Sequence, residues 1–83
     1  MTTVGDIDEL MRRLTSLGEA RNEAEARLIN EAHRQLTLAT AHMTAISNGM
    51  SLASRAVYEV FVSEAERTAA ALLYAIRVLR GVA

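Results

Sequence analysis

Apolar and small residues recur every three or four positions through the first half of the chain. After a skip at Arg21 the same face continues, and the average step of about 3.6 is typical of a nearly straight bundle helix. Asp6, with Glu9 three residues on, predicts the helix start. The sequence therefore predicts one helix over residues 6–47, whose face comprises Leu10, Leu14, Leu17, Ala24, Leu28, Ala32, Leu36, Ala39, Met43 and Ile46.

Gly18 gives this first helix an alternative. Glycine is a poor helix former, and Ser16-Leu17-Gly18-Glu19 has the pattern of a capping box. The first helix would then end near Thr15 and a second would begin at Leu17. Both a continuous helix and a helix broken near Gly18 are kept as predictions.

A turn follows at residues 47–51, where Asn48 and Gly49 tolerate left-handed backbone and Ser51 is a suitable helix N-cap. A second helix is predicted over residues 51–80. The expected fold is all-α, a single domain of two long antiparallel helices that form a helical hairpin.

The second helix carries more apolar surface than one neighbouring helix can cover. One face comprises Ala53, Val57, Val60, Phe61, Ala65, Thr68, Leu72, Ala75, Ile76 and Leu79, and a second stripe is displaced around the cylinder. Two hairpins joined as a homodimeric four-helix bundle would cover both. The predicted dimer core consists of Tyr58, Val62, Ala69, Leu73 and Ile76.

Composition strengthens the expectation of association. The chain has 83 residues, 51% of them apolar, no cysteine and no proline. A chain this short buries a small share of its surface, and it lacks disulfides or thiolate metal sites to compensate. Association with another chain is the remaining route to stability.

The net charge is −1, and all nine basic residues are arginines interleaved with acidic ones. Glu23 with Arg27, and Arg21 with Glu25, have the spacing of ion pairs on a solvated helix face. The antiparallel hairpin brings four arginines to its open end, where they form a candidate anion patch: Arg12, Arg13, Arg77 and Arg80. Nearby acidic residues favour a self-neutralised surface, and the net charge disfavours nucleic acid.

No constellation for catalysis or metal binding is evident. His33 and His42 are nine apart and lie on opposite sides of a helix, and no Glu-x-x-His pair occurs. Nucleophile elbows and phosphate loops are missing. We expect no enzyme, no cofactor, no metal and no small-molecule substrate.

The segment 35–54 contains no Asp, Glu, Lys or Arg, which is unusual for the surface of a helical hairpin. The corresponding hypothesis is that this tip of the hairpin binds a partner protein. An equal alternative is that the same residues are buried in a homodimer. The residues concerned are Met43, Ile46, Met50 and Leu52.

The longest apolar run, residues 69–76, is far shorter than the roughly 18 residues that span a bilayer. The N-terminal residues lack the basic and apolar regions of a signal peptide. We therefore expect a cytoplasmic protein.

The hairpin proportions and the glycine in the turn resemble the small Trp-X-Gly proteins of type VII secretion. Ser47-Asn48-Gly49 stands at the signature position, without tryptophan, and Tyr58 and Tyr74 lack the acidic residue of the export signal. Only Gly49 and the proportions match, so membership is not claimed. The shape also resembles small helical regulators, including phage-encoded inhibitors.

These observations lead to three functional hypotheses. The first is a non-enzymatic, homodimeric regulator or inhibitor that binds and blocks or sequesters another protein. The second is a structural subunit or an obligate heterodimer partner, such as a type VII secretion-like hairpin. The third is a nucleic-acid-binding hairpin dimer that uses the arginines of the open end.

Overall fold

The computed structural model describes residues 2–81, and all regular structure within that range is helical. The helices are α1 Val4–Ser16, α2 Glu23–Ser47 and α3 Leu52–Leu79. This confirms the predicted all-α class. α2 and α3 pair about the turn that follows Ser47, and α1 packs on both of them.

The prediction of one continuous helix over residues 6–47 was wrong, and the alternative of a break near Gly18 is what the chain adopts. α1 ends at Ser16. Gly18 then takes a left-handed conformation with φ of 70°, which an α-helix cannot contain. Because the chain reverses after α1, two helices stand where one was predicted.

The caps of α1 and α2 explain why their boundaries differ from those predicted. α1 starts at Val4, two residues before the predicted start, because Thr3 is its N-cap and exchanges capping-box hydrogen bonds with Asp6. The hydrogen bond that the Thr3 backbone amide donates to the Asp6 carboxylate lowers the pKa of Asp6. α2 begins after Asn22, whose side chain accepts from the Glu25 amide at 2.9 Å. Ser16, which was predicted to cap the second helix, instead donates a hydrogen bond from its hydroxyl to the Arg13 carbonyl oxygen at 2.8 Å.

The turn between α2 and α3 follows its prediction closely. Asn48 is the C-cap of α2, and Gly49 has a φ of 91°. Ser51 is the N-cap of α3 and accepts from the Ser54 amide at 3.3 Å. Local residue chemistry therefore accounts for this connection.

The core lies between the three helices. α1 contributes Ile7, Leu10 and Leu14. They pack against the hairpin together with buried residues of α2 and α3, which are Ala32, Leu36, Ala39, Val62, Ala65, Ala69 and Leu73. The second stripe of α3 is thus covered by a helix of the same chain.

The N-terminal end of α1 is tied to the middle of α3. The Thr2 hydroxyl hydrogen bonds to the Glu66 carboxylate and lies 3.4 Å from the Ser63 hydroxyl. α1 therefore runs antiparallel to α2 and parallel to α3. The molecule is elongated, with extents of 44 × 20 × 17 Å.

Candidate functional sites on the helical hairpin

A buried ion pair closes the open end of the hairpin. Glu25 is 2% exposed, and its Oε1 accepts from Arg80 Nη2 at 2.8 Å and Nε at 3.1 Å. The Arg21 backbone amide donates to the same oxygen at 3.1 Å. The hydrogen bonds from Arg80 lower the pKa of Glu25, against the opposing effect of burial. The sequence had placed Glu25 on a solvated face with Arg21, and that prediction was wrong.

Arg80 also ties down the connection between α1 and α2. Its Nη1 donates to the Leu17 carbonyl at 3.0 Å, and its Nη2 donates to the Glu19 carbonyl at 3.2 Å. These bonds satisfy backbone acceptors just beyond α1, as the C-terminal end of a helix requires. The Arg80 side chain therefore has a structural role.

A cleft of about 670 Å³ lies beside this ion pair, between α1 and α3. Among the residues that the structure describes, four arginines and no acidic residue line it. Its apolar lining comes from leucine and alanine side chains and from Tyr74, which is 64% exposed. The complete lining is Leu10, Arg13, Ser16, Leu17, Arg21, Ala70, Leu73, Tyr74, Arg77 and Arg80.

The candidate anion patch is only partly assembled around this cleft. Arg13, Arg77 and Arg80 line it, whereas Arg12 does not. Arg12 and Arg13 share the Glu9 carboxylate, at 2.6 Å and 3.3 Å. The hydrogen bond from Arg12 is the main reason that the pKa of Glu9 is lowered. Arg12 is thus self-neutralised, and Arg13 is the more loosely paired of the two.

The four residues of the predicted tip do not form one surface. Met43 packs partly buried against the core. Met43 and Ile46 line a cavity of about 150 Å³ together with Val4. Leu52, in contrast, is 85% exposed. Met50 is half-buried, so Leu52 is the one member of the four that offers a fully open apolar contact.

Four of the five residues predicted for the dimer core are buried within the chain itself: Val62, Ala69, Leu73 and Ile76. Tyr58 is half-buried, and its ring contacts His42 and Phe61 at centroid distances of 5.0 Å and 6.0 Å. The physical reason is the break at Gly18, which lets α1 fold back onto this stripe. The four buried residues are therefore not available to a second copy.

The other apolar face of α3 is open in part, since Ala65 and Ile76 are buried and Leu72 packs against the core. The exposed large apolar residues concentrate there and on the adjoining surface of α3. Phe61, Glu64 and Thr68 also border a groove with α2, beside Gln35, Leu38 and His42. The exposed set on this face and the adjoining surface comprises Val57, Val60, Phe61, Val78 and Leu79, and the other exposed large apolar residues of α3 are Leu52 and Tyr74.

His42 lies under this groove with its Nδ1 buried and without a hydrogen-bond partner among the described residues. Its ring also lies 5.5 Å from the Phe61 ring. The imidazole thus acts mainly as an aromatic packing group between α2 and α3.

Residues 2–81 contain no cluster of His, Cys, Asp or Glu that could hold a metal ion. Within the same range, no helix is long and apolar enough to cross a membrane. Among the described residues, the candidate surfaces are the arginine-lined cleft, the open face of α3 and the exposed Leu52.

Sequence reasoning missed Arg21 and Tyr74 as members of the cleft. Arg21 lies in the connection that was predicted to be helix, and its position follows from the break at Gly18. Tyr74 lies three residues before Arg77 on α3, so helical spacing links the two once Arg77 is considered. A periodicity analysis of α3 alone could have found Tyr74 but not Arg21.

No protein-family model, no curated protein and no solved structure matches this chain.

Proposed function

We propose that this protein is a non-enzymatic, homodimeric interaction module that binds and blocks or sequesters another protein. The open face of α3 is the surface on which two copies pair. The exposed Leu52 at the tip is the first candidate contact for the unlike partner. The observation that carries the proposal is the symmetry of the open face.

Seven residues on one side of α3 form this symmetric stripe. The successive steps along it are four, three, four, four, three and four, so the spacing reads the same in both directions. Steps of three and four keep side chains on one side of a helix. The symmetric stripe comprises Val57, Phe61, Glu64, Thr68, Leu72, Ala75 and Leu79.

A palindromic spacing suits an antiparallel pairing of two identical helices, because a two-fold axis through Thr68 superimposes the stripe on itself. Phe61 then meets Ala75 of the other copy, so a large ring faces a small side chain. Large-to-small matching of this kind lets two helices interdigitate. Val57 meets Leu79, which is a contact between two large apolar side chains.

Glu64 is the one charged member of the symmetric stripe. It is held by Arg67 at 2.8 Å and remains exposed. Its carboxylate therefore has a partner in its own chain, and the two-fold axis through Thr68 sets it opposite Leu72 of the other copy, one helical turn from the axis.

Surface area supports a second copy as the occupant. The accessible surface is 5402 Å², whereas a compact monomer of 9.0 kDa is expected to expose about 4,850 Å². The excess of about 550 Å² means that the chain exposes more surface than a compact monomer of its mass, which favours cover by a second chain.

The pairing is tested by a single cysteine at the proposed axis, in a chain that has no other. Thr68→Cys places two thiols face to face, and we expect mild oxidation to give a disulfide-linked dimer. Non-reducing electrophoresis and light scattering measure it.

Ala56→Cys is the matched control, because Ala56 is exposed on α3 outside the symmetric stripe. It should cross-link far less at the same concentration. Equal cross-linking of both variants, or a monomeric mass at all concentrations, would contradict the proposed dimer.

Binding of an unlike protein is tested separately through Leu52. Because Leu52 is 85% exposed, Leu52→Arg should leave the fold and the dimer intact. We expect it to reduce by several-fold the recovery of a partner co-purified from the source cells, relative to Ala56→Arg. Undiminished recovery with Leu52→Arg would exclude the tip as the contact.

A further inference from the structure

We propose that the cleft between α1 and α3 is a binding site for a compact organic anion with an apolar, preferably aromatic, body. The site is distinct from the dimer face and from the tip. Its ligand class follows from the charge of its rim, the apolar character of its floor and its volume.

The charge of the rim is positive although the whole chain has a net charge of −1. Arg13 and Arg21 both line the cleft, and none of its lining residues within 2–81 carries a carboxylate. Arg13 is bound only through its Nε, at 3.3 Å, to a carboxylate that Arg12 holds more closely. The Arg21 guanidinium makes no hydrogen bond to another described residue. These two side chains can therefore turn toward an anion.

Arg80 has a different part in the site. Glu25 and two backbone carbonyls engage all its guanidinium nitrogens, so it forms a fixed wall. The same bonds hold the connection that carries Arg21. The buried ion pair thereby positions one of the two recognising arginines.

The floor selects for an apolar ligand body. Leu10, Ala70 and Leu73 line the cleft, and the Tyr74 ring at its edge is 64% exposed. Exposed tyrosine and arginine side chains both offer flat surfaces on which an aromatic ring can stack. The volume of about 670 Å³ lies within the usual range of small-ligand sites.

A matched pair of dyes tests the proposal on the full chain. 8-Anilinonaphthalene-1-sulfonate carries an aromatic body and one anionic group, and N-phenyl-1-naphthylamine has the same body without the sulfonate. Fluorescence titration at low ionic strength should give one sulfonate-dependent site per chain. The neutral dye should bind more weakly.

The variant Arg13→Gln/Arg21→Gln should weaken binding of the sulfonate dye by about tenfold. The control Arg27→Gln/Arg34→Gln removes the same charge from ion-paired, exposed positions of α2 outside the cleft. It should change affinity less than twofold. Equal weakening by both variants would overturn the site, because general electrostatics would then account for binding.

The apolar floor has its own control. Tyr74→Ala should weaken both dyes several-fold, whereas Phe61→Ala, on the proposed dimer face, should leave the sulfonate-dependent affinity unchanged. If Phe61→Ala reduces that affinity as much as Tyr74→Ala does, the dye binds to the open face of α3 and the proposal is wrong. Circular dichroism melts verify that each variant is folded.

Discussion

Glu25 and Arg80 are 55 residues apart in the sequence, yet they form the most buried ion pair of the described chain, with side chains 2% and 9% exposed. A buried charge is tolerated only when paired and hydrogen bonded. Each member here makes several such bonds. The pair therefore fixes the position of the α1–α2 connection relative to the end of α3.

Removing one member should destabilise the fold. We expect Glu25→Gln to lower the melting temperature on the order of 10 °C at pH 7, because Arg80 would keep its charge without a carboxylate partner. Glu64→Gln is the control, since Glu64 pairs with Arg67 on an exposed surface, where ion pairs contribute little. Comparable melting of the two variants would refute the structural role of the pair.

The same pair gives stability a defined pH dependence. The pKa of Glu25 is lowered from its ordinary value of 4.5 in the folded state, so the unfolded chain binds its proton first. The stabilisation is present above about pH 4.5 and is lost as the pH falls through the folded pKa. The difference between the wild type and Glu25→Gln should therefore close on acidification.

Glu31 has a strongly lowered pKa but is expected to contribute little to stability. Hydrogen bonds from Arg34 and Gln35 lower its pKa to about 2. Its contacts are local, within four residues on α2, and its partner Arg34 is well exposed. Solvent screens such pairs, so Glu31 should affect the acid transition less than Glu25 does.

At the scale of elements, the break between α1 and α2 decides the architecture. Gly18 has a φ of 70°, and a side chain there would meet no atom within 4 Å. The constraint is therefore conformational and not steric. Because L residues avoid this region, glycine is the residue that lets α1 end here and fold back.

Two alanine substitutions separate backbone strain from helix propensity. Gly18→Ala should reduce the free energy of unfolding by about 1 kcal/mol, because alanine is strained at positive φ. Gly5→Ala should raise it by roughly 0.5 kcal/mol, because Gly5 lies inside α1 and its Cβ would have only ordinary contact with Thr3. Urea denaturation measures both, and a stabilising Gly18→Ala would show that the left-handed turn is unnecessary.

At the scale of the whole molecule, α1 gives the hairpin two unlike sides. One side is covered by α1 and carries the arginine-lined cleft, whereas the other carries the symmetric stripe of α3. In the proposed dimer, the cleft of each copy stays open because it lies away from the stripe. A dimer would therefore present two anion sites, and the dye stoichiometry should remain one per chain.

The elongated shape is consistent with three helices that do not fully cover one another's apolar surface. The radius of gyration is 13.8 Å, against about 11.8 Å for a compact domain of this length. Three helices of unequal length leave part of the long hairpin beyond the reach of α1. This part includes the hairpin tip with Leu52.

Local residue chemistry was sufficient to predict the helical class, the turn at Asn48 and Gly49, and the extent of α3. Capping side chains and left-handed glycines act on backbone groups within a few residues. They can therefore be recognised from the local sequence. The same kind of chemistry indicated the break at Gly18 but left it as an alternative to a continuous helix. The reason is that helix propensity is a weak constraint, which packing can override.

The sequence by itself determined that the chain is helical and that α3 has more apolar surface than one helix can cover. Only the tertiary structure decided which surface is inside, because α1 folds back over Val62 and Leu73 and leaves Phe61 and Leu79 exposed. It likewise paired Glu25 with Arg80 and brought Arg13 and Arg21 to the same cleft. Such contacts depend on how separate helices pack, which periodicity along one helix does not encode.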